Sequence, residues 1–151
     1  MTIEYLQVLK ANPTKGRFTD RGISESEIQQ LEQLYNNGSL FPKVLREYLF
    51  LAGDFCCWVD GGPYDSQEEM QEVEREEISW MVTIIRPFYV IDVSSPDAQL
   101  IVFLDEGADD PILYQITSRN GPTDDGLGGR RTLKRYIEGG IEAYKQGIPV
   151  Y

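Results

Sequence analysis

After Pro87 the chain changes its apolar period, and that change limits the possible folds more than any other feature. Phe88 to Val93, Leu100 to Asp105 and Ile112 to Ile116 are rich in β-branched and aromatic residues, as strands are. The connections Ser94 to Gln99 and Glu106 to Pro111 are too short for a crossover helix. An antiparallel meander is therefore expected. The first two segments are apolar in both alternating sets, which predicts a sheet covered on both faces. The third sets Ile112, Tyr114 and Ile116 against Gln115 and Thr117, the pattern of an edge or half-exposed strand.

Helices are expected to supply the cover. Ile3 to Lys10 reads as a short helix closed by Asn12-Pro13, and Thr14 to Gly22 as a polar, basic loop. Ser24-Glu25-Ser26-Glu27 is a capping box, in which the serine oxygen and the Glu27 carboxylate satisfy orphaned amide donors. It opens a helix with Ile28, Leu31, Leu34 and Tyr35 as its apolar stripe, stopped by Asn36-Asn37-Gly38. A second helix starts at Pro42, buries Val44, Leu45, Tyr48, Leu49 and Leu51, and ends at Gly53. Phe55 to Val59 reads as a short strand carrying Cys56 and Cys57 as small apolar residues, closed by Asp60-Gly61-Gly62-Pro63.

A third helix is expected from about Ser66 to Ile84. Met70, Val73, Trp80, Met81 and Ile84 lie on its core side, with Glu77 intruding. Arg119 to Arg131 is a Gly-rich loop. A last helix, Thr132 to Gln146, places Leu133, Tyr136, Ile137, Ile141 and Tyr144 on one face. Gly139-Gly140 within it costs about 1 kcal/mol per glycine and points to close packing or a kink. The expected fold is α+β, an antiparallel meander sheet packed by three to five helices. Residues 1–151 form a single domain whose first 22 residues are a loosely packed helix and loop.

A chain of 151 residues can bury roughly 68–70% of its unfolded surface, so it needs neither disulfide nor metal for stability. No basic-then-apolar leader opens it, and no run reaches the about 18 apolar residues of a membrane span. The expected address is the cytoplasm.

Much familiar chemistry is absent. Without histidine, Ser-His-Asp and Cys-His nucleophile systems cannot form in their usual shape. Adjacent Cys56 and Cys57 lack the spacing of a tetrahedral zinc site. The loop Gly121-Pro-Thr-Asp-Asp-Gly126-Leu-Gly-Gly has no Gly-Lys-Ser/Thr ending and does not link a strand to a helix, so it is no phosphate cradle. Asp105-Glu106-Gly107-Ala108-Asp109-Asp110 lacks the later glutamate of an EF-hand loop. It stays open as a weak cation or small-ligand site, or as the carboxylates of a hydrolase. No cofactor and no resident metal are expected, and catalysis is the poorer reading.

The charge is unevenly spread. Residues 1–59 carry 6 basic and 7 acidic groups, residues 60–110 carry 2 and 14, and residues 111–151 carry 6 and 4. The whole excess of −11 therefore belongs to the middle third. Such a field repels nucleic acid and anionic membranes and attracts basic proteins. Glu68/Glu72 and Glu72/Glu76 are like-charged pairs at i, i+4, each costing about 0.2–0.5 kcal/mol, with only Arg75 nearby for relief. A partner-binding surface is read from Glu68, Glu69, Glu72 and Glu76 together with Asp105, Glu106, Asp109 and Asp110. Trp58 and Tyr64 are its aromatic anchors, while Trp80 is assigned to the core.

Phe41-Pro42-x-x-Leu45-Arg46-x-Tyr48-Leu49, the stop at Gly53 flanked by Ala52 and Asp54, and Pro87-Phe88 form the first half of a pattern. Phe103-Leu104-Asp105, Pro111-Ile112-Leu113-Tyr114 and Leu133-x-x-Tyr136-Ile137 complete it. Over residues 23–145 the chain thereby resembles the SUKH superfamily, named for bacterial toxin-immunity proteins and for the yeast regulator of cell-wall glucan synthesis. The resemblance implies an immunity-type protein that sequesters a cognate toxin, often a basic nuclease. Its alternative implication is a regulatory scaffold of glucan synthesis.

Overall fold

The structure, a computed structural model, describes residues 1–59, 62–95, 98–124 and 129–148. The Asp60-Gly61 part of one expected turn and residues 125–128 of the Gly-rich loop lie outside them. The described elements make an α+β fold: α1 (Gln7–Ala11), β1 (Thr14–Lys15), β2 (Phe18–Thr19), α2 (Glu25–Tyr35), α3 (Lys43–Ala52), α4 (Gln67–Met81), β3 (Phe88–Ser95), β4 (Ala98–Phe103), β5 (Tyr114–Thr117) and α5 (Leu133–Lys145). The expected meander is present as an antiparallel sheet in the order β3-β4-β5.

Both faces of that sheet are covered, for the reason the sequence suggested. Tyr89, Ile91, Leu100 and Val102 alternate into the larger core with Leu6, Leu9, Ile28, Leu45, Leu49, Leu133, Ile137 and Ile141. Phe88, Val90, Ile101, Phe103 and Ile116 point the other way, under Ile78 of α4 and the half-buried Met81, Val82 and Ile84. Strand β5 is shorter than expected and β4 is the fully buried centre.

Local rules set most helix limits. The capping box at α2 is complete, with Ser24 Oγ accepting from Glu27 N at 3.2 Å and Glu27 Oε2 accepting from Ser24 N at 2.7 Å. Asn37 and Gly38, at φ 52° and 80°, turn the chain out of α2. Pro42 opens α3 and Gly53 closes it. Gly22 has a separate constraint: a Cβ there would sit 1.6 Å from the Phe50 carbonyl oxygen, so no other residue fits against α3.

Several expectations need correction. The first residues are not loosely held: Ile3, Leu6 and Leu9 are buried, and Glu47 of α3 accepts hydrogen bonds from the backbone N–H groups of Glu4, Tyr5 and Leu6. Part of the Thr14–Gly22 loop is a β-hairpin, turned at Gly16 with φ 61°. Phe55 to Val59 joins no sheet beyond one bridge from Phe55 to Arg21, because side chains bind the segment instead. Asp20 Oδ1 accepts from Cys57 N at 2.8 Å, and Trp58 Nε1 donates to the Asn12 carbonyl at 3.0 Å. Leu34 is exposed, since α2 turns Glu32 inward to accept from Phe41 N at 2.5 Å.

Gly139-Gly140 does not serve close packing. The helix α5 is continuous through the pair, and a Cβ at either position meets nothing within 4 Å. Gly139→Ala and Gly140→Ala should each raise stability by about 0.5–1 kcal/mol, read as an increased urea midpoint, because alanine only restricts the unfolded chain there.

Candidate functional site

Helix α4 carries the densest negative charge on a regular element. Ser66 caps it by accepting from Glu69 N at 3.1 Å, and Glu69 Oε2 reaches back to Asp65 N at 2.7 Å. Acidic side chains in its first turn, Glu68 and Glu69, sit favourably at the positive end of the helix dipole. Its buried arc differs from the apolar stripe in the sequence. Met70, Gln71, Glu74 and Ile78 are buried, whereas Val73 is 39% and Trp80 72% exposed.

The cause is the unpaired outer edge of β3. Gln71 donates to the Val90 carbonyl at 2.8 Å and accepts from Val90 N at 2.9 Å, one turn before Arg75 donates to the Phe88 carbonyl. Gln67, a turn earlier still, accepts from the Tyr89 hydroxyl at 2.8 Å. A helix that satisfies a strand edge must turn these polar residues inward. Trp80 is thereby sent outward.

Arg75, the only basic residue in α4, is also turned in. Its guanidinium lies 4.4 Å from the Tyr35 ring and 4.1 Å from the Phe88 ring. Glu68, Glu69, Glu72, Glu76 and Trp80 are all exposed, with Glu68 and Glu72 on the side that faces Tyr35. Glu69, Glu72, Glu76 and Trp80 follow one another at spacings of three, four and four, so the indole ends a row of carboxylates along the exposed face.

The other predicted residues are placed differently. Trp58 is half-buried, stacked edge-on to Tyr144 with centroids 5.4 Å apart, and it braces the segment through Asn12. Tyr64 is half-buried with its hydroxyl on Glu74, and burial together with Glu74 pushes it up to about 12. The Asp105–Asp110 turn does not gather its carboxylates. Asp105 is held by Arg86 at 2.7 and 3.1 Å, which keeps it below the usual carboxylate range, and Glu106 accepts from Tyr114 at 2.7 Å. Asp109 accepts from Tyr5 at 3.0 Å, and Asp110 accepts from Lys134 N at 3.0 Å in the first turn of α5. No group of three metal-ligating side chains forms among the described residues.

A cavity of about 580 Å³ lies between α3, β3 and α5, lined among others by Tyr48, Cys56, Gln67, Asp92 and Tyr136. Asp92 accepts from the Tyr136 hydroxyl at 2.6 Å and from Val93 N at 2.7 Å. Burial pushes the Cys56 thiol up to about 12, raises Tyr48 well above its ordinary value and, with Asp92, raises Tyr136 as well. Raised in this way, these groups keep their protons at neutral pH.

Sequence reasoning missed Gln67, Gln71, Glu74 and Trp80. The i, i+4 recurrence of Gln67, Gln71 and Arg75 was the one available signal, and it acquires meaning only beside a strand edge. No helix among the described residues is long and apolar enough to cross a membrane. Comparison with family models, with curated proteins and with solved structures finds no match.

Proposed function

We propose that this chain is a protein-binding domain that takes a basic partner on the outward face of α4, with Trp80 as the anchor. One observation carries the reading: the face exposes Glu68, Glu69, Glu72, Glu76 and Trp80 while the helix's single cation is turned inward. Like-charged carboxylates in a row cost helix stability, and an exposed indole beside them costs solubility, unless together they recruit something. The carboxylates would steer encounter and reject acidic partners, and the indole would supply contact energy.

The resemblance to immunity proteins supports a cognate toxin as that partner, neutralised without catalysis in the cytoplasm. Co-expression with the product of the neighbouring gene tests this through rescue of growth and a purified complex. Trp80→Ala should leave stability within about 0.5 kcal/mol, because the side chain is exposed. It should weaken the complex by about 2 kcal/mol or more, roughly 30-fold, mainly in the off-rate. A harmless neighbour that does not bind would favour the regulatory scaffold. A complex indifferent to Trp80 would remove the proposed anchor.

A further inference from the structure

Beside the outward face of α4 lies a groove of about 440 Å³, walled by Pro63, Tyr64, Val73, Glu74, Glu77 and Val93. Its volume falls within the about 300–1,000 Å³ typical of small ligand sites. Glu74 forms part of its wall and is only 4% exposed.

The other buried glutamates explain what is unusual about Glu74. Glu32 holds Phe41 N and Arg46, Glu47 holds three backbone N–H groups, and Glu138 holds Val8 N and Lys134. Glu74 has neither a backbone donor nor a cation among the described residues. Its partners are the Tyr64 hydroxyl and, at 2.9 Å, Gln99 Nε2. Gln99 is itself fully buried, and its Oε1, on the same amide that reaches Glu74, has no donor among the described residues. Glu74 in the wall and the Gln99 amide behind it thus have acceptor capacity left over, which is costly in a buried place.

We propose that the groove receives an arginine side chain of the basic partner, its guanidinium bridging the two carboxylates of the wall, Glu74 and Glu77. This rests on the reading of α4 as a docking face and deepens it. A guanidinium carries five N–H donors in a planar fork, enough for two carboxylates, and its plane stacks on an aromatic ring such as Tyr64. The apolar stem would lie along Pro63, Val73 and Val93. An ammonium has three donors, no plane to stack, and a stronger hold on its water.

The test is titration of the ¹⁵N-labelled full chain with Nα-acetyl-L-argininamide, Nα-acetyl-L-lysinamide and NaCl at matched ionic strength. The expected result is saturable amide shifts at Tyr64, Val73, Glu74, Glu77 and Val93 with the arginine compound only. Affinity should fall at least tenfold in Glu74→Gln, which keeps an acceptor for Tyr64. Glu77→Gln, at a half-exposed position that leaves the fold intact, should lower affinity several-fold and serves if Glu74→Gln unfolds. Shifts confined to the outward glutamates, an equal response to the lysine compound, or affinity unchanged in both variants would overturn the arginine site. The docking face would be judged separately, through Trp80→Ala and its partner.

Discussion

Glu47→Ala should cost the fold about 3–5 kcal/mol, the largest loss expected from any single substitution discussed here. Glu47 is 3% exposed, and its carboxylate accepts from the N–H groups of Glu4, Tyr5 and Leu6, the last two at 3.0 Å. Alanine strands those donors at a buried junction, where each unsatisfied group costs about 1–3 kcal/mol. Ile3, Leu6 and Leu9 also lose the tether that seats them in the main core. With a urea dependence of about 2 kcal/mol per molar, the midpoint should fall by about 1.5–2.5 M. Amide exchange at Leu6 should quicken before the sheet loosens. Glu47→Gln should recover part of the loss, since one acceptor oxygen is kept and an N–H₂ is set against donors. A Glu47→Ala midpoint within about 0.3 M of the parent would show that the N-terminal segment is held by packing alone.

Gln71→Leu should cost about 2–4 kcal/mol through a different route. The side-chain amide stands in for a missing strand, giving Val90 one donor and one acceptor. Leucine keeps the volume and removes both bonds, so two backbone groups are stranded in a position where Gln71 is 0% exposed. The edge of β3 also becomes available to another chain, so aggregation on heating should rise with the loss of stability. Urea unfolding and exchange at the Val90 amide measure the two effects. A leucine variant as stable and as well protected as the parent would mean that α4 guards the edge by bulk.

These two residues also mark where the sequence stopped being legible. The meander, its covered faces and the capping box at Ser24 follow from local period and composition, because their causes lie within a few residues. The inward arc of α4 does not. Its Gln71 faces a strand 19 residues later in the chain, and that tertiary demand outweighs the Met70, Val73, Trp80 and Met81 pattern. The same holds for Trp58, expected at an interface and found bonded to Asn12, 46 residues earlier. The location of the acidity was legible on α4, where Glu68, Glu69, Glu72 and Glu76 are exposed as expected, but not beyond it. Within residues 60–110 Glu74 is buried and Asp105 and Glu106 answer Arg86, so among the described residues the exposed acidic surface without a cation contracts to the outward glutamates of α4 with Asp65 and Asp109.

That contraction makes the central claim measurable. The association rate of the purified chain with the co-expressed neighbour's product should be followed from 50 to 500 mM salt, beside Glu68→Lys/Glu69→Lys/Glu72→Lys/Glu76→Lys. The reversal exchanges the i, i+4 glutamate repulsions for lysine ones, but it also sets two cations at the positive end of the α4 dipole and removes the Glu69 bond to Asp65 N. About 1–2 kcal/mol of stability should therefore be lost, and rates are compared where both proteins are folded. The account predicts a parent rate that falls steeply with salt, and a variant at least tenfold slower at low salt whose rate no longer falls. Equal rates for the two proteins, insensitive to salt, would contradict docking on the acidic face of α4.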